Sequence, residues 1–434
     1  MAVTTATTRF WHPFADMGSV SRHELLIERG EGVWVYDSEG NRYLDGTASL
    51  WYANIGHGRR EVADAVARQM RTLEAYSTFG DFGNRPANEL AERLAAVAPM
   101  EDARVFLGSG GGDAIDTAAK IARRHWILRG QPERTHLISR TQGYHGTHGF
   151  GTSIGGIEAN VTNWGPLAGG VSTVPFDSLQ ALEAEILRLG PDRVAAFFCE
   201  PVIGAGGVHP PPEGYIEGVA DLCAEHGVLL VIDSVICGFG RLGTWYGIER
   251  WEDVRPDLIT FAKGVTSGYL PLGGVIVSGA VAAPFFEAPG GPMLRHGATY
   301  AGHPTVCAAA LEVMDIYERE NLLVRGRELE QPLLDALAPL ADHPAVGEIR
   351  SGTGFLAAVA LSEDALGADS AAVAKLAQGA REAGVLVRPL LGAVALSPPL
   401  IVEQEHLQQL ADGIRAGLDR LGSADPKPDP SSGG

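Results

Sequence analysis

Between about residues 103 and 278, short runs that are apolar at almost every position alternate with longer stretches whose apolar residues recur every three or four positions. The runs ARVFLG, THLISR, VAAFFCE, GVLLVID, DLITFAK and GGVIVS are predicted strands, and 113–129, 178–189 and 214–226 are predicted helices. Strands that are apolar on both faces must be covered on both faces, so the alternation predicts a mostly parallel sheet between helical layers, an α/β architecture. In such sheets ligands bind beyond the carboxyl ends of the strands. The residues that close these runs are therefore the first place to seek chemistry.

The flanks carry a different pattern. Residues 31–45, EGVWVYDSEGNRYLD, predict a hairpin turning at Ser38, Glu39 and Gly40, and beyond about residue 320 helical stretches mix with short strands such as GFLAAVAL and VLVRPLL. The expectation is a large domain over 57–319 and a smaller α+β domain formed by 1–56 together with 320–422. The closing SADPKPDPSSGG, 423–434, has no apolar pattern and is expected to be a disordered tail.

Composition narrows the functional classes. A chain of 434 residues with 45% apolar content exceeds what a single core usually serves. Its net charge of -19 repels nucleic acid and anionic membrane, so neither is an expected partner. Cys199, Cys223, Cys237 and Cys307 show neither CxxC nor framework spacing and read as reduced core thiols. With no basic-then-apolar leader and no window of 18 apolar residues, a cytoplasmic location is expected.

Of the 34 basic residues only four are Lys, and Lys263 alone closes an apolar run, where an amine is poorly solvated unless it has a chemical use. Asp233 closes GVLLVID and needs a partner for its charge, which a salt bridge or a helix cap would also supply. Tyr144 and His145 follow THLISR. His145 and His148 lack the helix and the third ligand of a zinc site, and no metal is expected. Between ARVFLG and the next helix, Gly110, Gly111 and Gly112 would let bare amides approach an anion at the positive helix end, although a glycine run also serves as a plain turn. GFGRLG at 238–243 matches G-x-G-x-x-G, but the aromatic, Gly-broken stretch behind it does not start the helix that a dinucleotide site requires. An amine, a carboxylate, an aromatic face and an anion cradle at four strand ends together meet the needs of pyridoxal 5'-phosphate.

On these motifs the chain resembles the class III aminotransferases, fold-type I pyridoxal phosphate enzymes that include the omega-amino acid:pyruvate transaminases. The resemblance runs from FWHPF at 10 to LSPPLIV at 396. It implies that Lys263 in FAKG is the Schiff-base lysine, Asp233 in VIDSV the acid at the pyridine nitrogen, and Val235 and Tyr144 the residues on the two ring faces. Gly110, Gly111 and Gly112 would form the phosphate turn, and Glu200 in CEPV would support the cofactor from below. Thr299 in ATYAGHP resembles a threonine that reaches the phosphate of the neighbouring subunit, which implies a homodimer with shared sites and leaves a tetramer open. Arg388 in LVRPLLG resembles an arginine that binds substrate carboxylates, and Trp51 in SLWYAN an aromatic that lines the substrate pocket beside Tyr144. The implied activity moves an amino group from an omega-amino acid or primary amine to pyruvate or another small 2-oxo acid.

Three departures accompany the resemblance. The usual Asp-Glu-Val becomes Asp233, Ser234, Val235, and the usual polar phosphate turn becomes SGGGD, which leaves the phosphate to main-chain amides. Ala205 in EPVIGA stands where ornithine and 4-aminobutyrate transaminases carry a Glu, which argues against both activities. WHPF also resembles the diaminopelargonate synthase of biotin synthesis, but Phe14 and Thr147 stand where that enzyme has a tyrosine and an acid, so this reading ranks second. An NAD-dependent oxidoreductase, from GFGRLG, is the alternative from another class.

Overall fold

The structure, a computed structural model, describes residues 8–287 and 290–422. Seven strands form the central sheet in the order Arg104–Gly108, Gly273–Val277, Leu258–Phe261, Leu229–Asp233, Val194–Cys199, His136–Arg140, Val171–Val174. All run parallel except Gly273–Val277, which is antiparallel to both neighbours. The connection 262–272 has no crossover helix, and a short link of that kind returns the chain antiparallel. The six runs read as strands all lie in this sheet. Val171–Val174, an edge strand with only one fully buried position, has no apolar run to announce it.

The predicted helices appear as Gly111–Leu128, Leu179–Leu189 and Tyr215–Glu225, the first starting early because Gly111 and Gly112 belong to its opening turn. Alternation along the strands splits the core between two faces. Phe197, Ile232 and Ile259 pack into one layer, and Phe198, Val231 and Leu258 pack against Ala114, Ile115 and Ala118 of the Gly111–Leu128 helix in the other. Each such fully buried large side chain contributes about 1.5–3 kcal/mol, so the sheet is a stiff platform for whatever its ends carry.

In the flanks, Ile27–Glu31, Trp34–Asp37 and Arg42–Asp45 form an antiparallel meander whose last strand pairs in parallel with Val385–Leu386. The two ends of the chain thus share a sheet. A second small sheet runs Val346–Arg350, Ala357–Leu361, Ala393–Leu396, Arg388–Leu390. The expected single strand VLVRPLL is cut at Val387: its first half joins the N-terminal sheet and its second half the C-terminal one. Pro389 cannot donate to a ladder, which suits Arg388–Leu390 to its edge position. The expected tail, 423–434, lies outside the described residues. No described helix is long and apolar enough to cross a membrane, no described group of His, Cys, Asp or Glu could hold a metal ion, and all four cysteines are buried free thiols.

Candidate active site

The carboxyl ends of the parallel strands surround a cavity of about 180 Å³. Its walls bring together Gly111, Gly112, Tyr144, Glu200, Asp233, Val235 and Lys263, drawn from five strand ends or the turns behind them, with His145, Thr147, His148 and Ile236 beside them.

Asp233 closes its strand opposite Thr260 and is 4% exposed. Its Oδ1 accepts the Val235 N–H and the Thr260 hydroxyl, each at 3.1 Å, while its Oδ2 stands 2.8 Å from His145 Nδ1. Facing a carboxylate oxygen, which accepts, Nδ1 is the ring nitrogen placed to donate. Among the described residues Oδ2 has this single contact, and it keeps acceptor capacity for a cationic N–H in the cavity. His145 had no role from the sequence. Only the stacking of strand ends brings the residue after Tyr144 onto Asp233.

Glu200 ties the neighbouring strand end together, its Oε1 accepting the Tyr144 N–H and its Oε2 the Gly204 N–H, both at 3.0 Å. Burial pushes its pKa up and Asp233 adds to this, while His145 and the two amides oppose it. Arg140, buried behind, donates to the Glu200 carbonyl.

Lys263 has φ +48, a left-handed conformation uncommon outside glycine, in the short turn Lys263–Val265. The surroundings impose it. The Tyr317 hydroxyl donates to the Gly264 carbonyl at 3.0 Å, and a Cβ on Gly264 would lie 2.7 Å from Phe239 Cβ and 2.8 Å from Asn54 Nδ2. Burial lowers the pKa of the amine; Asp233 and Glu200 oppose this and Arg388 reinforces it.

The glycine turn is shaped for close approach. A Cβ on Gly111 would lie 2.9 Å from Val235 Cγ1, and one on Gly273 would lie 2.5 Å from the Gly110 carbonyl carbon. The unpaired amides of the first helical turn therefore stand bare at the positive end of an 18-residue helix. The cavity thus offers an amine, an oriented carboxylate, a half-buried aromatic and an anion cradle, which fit a phosphorylated aromatic aldehyde with a basic ring nitrogen.

Four residues singled out from the sequence are not on this wall. Gly110 stands just before it. Arg388 is half-buried and close enough for its charge to act on Tyr144 and Lys263, and it forms no ion pair among the described residues. Trp51, at φ +66 and 3% exposed, belongs to the buried cluster that includes the cavity-lining Ile236. Thr299 is exposed, two residues from Gly297 and Ala301, which line a second cavity of about 770 Å³ with Phe79, Phe82, Met293 and His296 among others.

GFGRLG forms turns and no helix. Its Arg241 is wholly buried: Nη1 donates to the Phe355 and Pro398 carbonyls, both at 2.8 Å, and Nη2 to Asn54 Oδ1 at 2.7 Å. Asn54 Nδ2 in turn donates to the Phe239 carbonyl at 2.9 Å. Burial brings the guanidinium down to about 10. The motif is a clamp that joins the N-terminal, central and C-terminal segments behind the Lys263 turn.

Comparison with known proteins places these residues in a family. The model of the aminotransferase class-III family matches residues 17–418. A putrescine–pyruvate aminotransferase of Pseudomonas aeruginosa is 35% identical over 97% of this chain and 98% of its own length, and an omega-aminotransferase of Caulobacter vibrioides is 34% identical over 95% and 97%. Among solved structures, a thermostable (S)-enantioselective omega-transaminase from Thermomicrobium roseum superposes with a TM-score of 0.91 at 39% identity, covering 95% of this chain and 96% of that one. An amine transaminase from an uncultivated Pseudomonas species, solved in its pyridoxal-phosphate-bound form, also gives a TM-score of 0.91, at 37% identity over 96% of this chain and all of its own.

Proposed function

The chain belongs to the class-III aminotransferases, and on that premise we propose that its cavity binds pyridoxal 5'-phosphate and serves the transfer of an amino group from an omega-amino acid or primary amine to pyruvate or another small 2-oxo acid. The observation that carries this reading is the meeting of Lys263, Asp233, Tyr144 and the Gly111–Gly112 turn in one cavity. When bound, the cofactor supplies the electron sink that makes a substrate Cα–H acidic.

The chain's own residues do the rest. Lys263 Nζ anchors the cofactor, then takes and returns the substrate's proton, for which it must be neutral; burial moves its pKa in that direction. Asp233 Oδ2, oriented by His145, makes a charge-assisted hydrogen bond to the ring nitrogen. Tyr144 and Val235 flank the ring, Glu200 fixes Tyr144 through its main chain, and the glycine turn receives the phosphate. Arg388, without a fixed carboxylate partner, is available to pair with the carboxylate of a 2-oxo acid.

A homodimer with shared sites is part of the proposal. Phe79, Phe82 and Met293, which line the second cavity, are 55%, 56% and 68% exposed, an apolar patch of the kind that marks an interface, and Thr299 lies between its lining residues Gly297 and Ala301 in the chain. A cytoplasmic location accords with four unpaired buried thiols. The names of the Pseudomonas aeruginosa and Caulobacter relatives support an amine or omega-amino acid as donor. Assay of the purified protein with putrescine and other amines against pyruvate, 2-oxoglutarate and 8-amino-7-oxononanoate tests the reading. Alanine formed from pyruvate is expected; turnover with 8-amino-7-oxononanoate alone would overturn it in favour of the biotin enzyme.

A further inference from the structure

We propose that His148 supplies the side-chain contact to the cofactor's phosphate that the all-glycine turn lacks, an inference that rests on the pyridoxal phosphate reading above. A phosphate ester presents three strong acceptor oxygens, and the turn through Gly112 answers them with main-chain amides only. A side chain from the end of another strand stands directly beside it. A Cβ built on Gly112 would stand 3.5 Å from His148 Cγ and Cδ2 and 3.6 Å from its Nδ1, so the imidazole edge rests on the space a side chain at 112 would enter. Both residues line the cavity that holds Lys263.

His148 is solvent-exposed in the single chain, yet its backbone is tightly placed. Asp116 Oδ1, on the Gly111–Leu128 helix, accepts the Phe150 and Gly151 N–H groups at 2.9 and 3.0 Å. On the other side Gly146, at φ +86, approaches so closely that a Cβ there would lie 2.7 Å from Gly112 Cα. The aspartates at this end of the helix are already engaged, Asp113 of the first turn with the Ser109 N–H at 2.8 Å and Asp116 of the next turn as described. The His148 ring nitrogens, by contrast, have no hydrogen-bond partner among the described residues. A ring N–H is thus free to donate to a phosphate oxygen beside the bare amides.

The test compares binding of pyridoxal 5'-phosphate with binding of pyridoxal, which lacks the phosphate, to the cofactor-free full-length protein, followed by the absorbance of the lysine-bound aldehyde. His148→Ala is expected to weaken pyridoxal 5'-phosphate about ten- to a hundredfold, the range for one hydrogen bond to a charged group, and to leave pyridoxal unchanged. Gly112→Ser combined with His148→Ala is expected to regain most of the loss, because Gly112 is not in the left-handed region and the serine side chain takes the vacated space. Equal weakening of both aldehydes, or unchanged affinity for the phosphorylated one, would overturn the role of His148. A wild-type protein that took up neither aldehyde would overturn the cofactor reading itself and the inference with it.

Discussion

His145 Nδ1 stands 2.8 Å from Asp233 Oδ2, with 1% and 4% of the two side chains exposed. The pair spans the sheet, since the Val194–Cys199 strand lies between the strands that lead to these residues. A carboxylate held in this way is preorganised for charge developing on a ring nitrogen. Asp233→Asn is expected to keep the fold and lose about 10² to 10³ in kcat at saturating cofactor, the scale of one preorganised electrostatic contact. His145→Asn should lose about tenfold, because Thr260 and the Val235 amide still hold Oδ1. Wild-type turnover in Asp233→Asn would reduce the aspartate to a structural partner.

Lys263 and Asp233 were legible because each closes an apolar run, where a charge has a cost that demands a use. The sheet was legible for the same reason, its strands being apolar on both faces. What stayed hidden depends on contacts between distant segments. Arg241 is one basic residue among 34, and its three acceptors come from positions 54, 355 and 398. His145 follows a tyrosine already assigned to ring stacking, and nothing local points from it to residue 233. Strand composition carries no direction either, so the reversal of Gly273–Val277 follows from its connection and not from its residues.

The lowered pKa of Lys263 has a stability consequence in the cofactor-free protein. Because the folded-state value lies below the unfolded one, the unfolded chain binds more protons between the two, and stability rises with pH across that window. Urea unfolding from neutral to alkaline pH should show this rise, and Lys263→Met should remove it. The same slope in the variant would place its origin elsewhere.

Arg388 is expected to act in one half-reaction. Arg388→Ala should cost about 2–5 kcal/mol of transition-state binding with pyruvate, the range for truncating one partner of a buried charge pair, and far less with an amine that has no carboxylate. Single-turnover rates for each half-reaction decide this. Equal losses in both would mean that Arg388 supports the fold or the cofactor.

The Arg241 clamp should govern stability. Arg241→Ala leaves two main-chain carbonyls and Asn54 Oδ1 without this donor in a dry interior, and the expected loss is about 3–5 kcal/mol in denaturant unfolding, at about 1–3 kcal/mol for each stranded acceptor. A change under about 0.5 kcal/mol, the size of an ordinary surface substitution, would show that the guanidinium is not what joins the three segments.

The role of the Lys263 amine is decided by the absorbance spectrum of Lys263→Ala with pyridoxal 5'-phosphate, recorded before and after addition of an amine donor. The wild-type protein should show the band of lysine-bound cofactor and lose it on amine addition. The variant should still take up the cofactor through the phosphate turn, show only the free-aldehyde spectrum, and form essentially no alanine from pyruvate. A Lys263→Ala protein with the wild-type band and turnover would show that this amine is not the group that binds the cofactor.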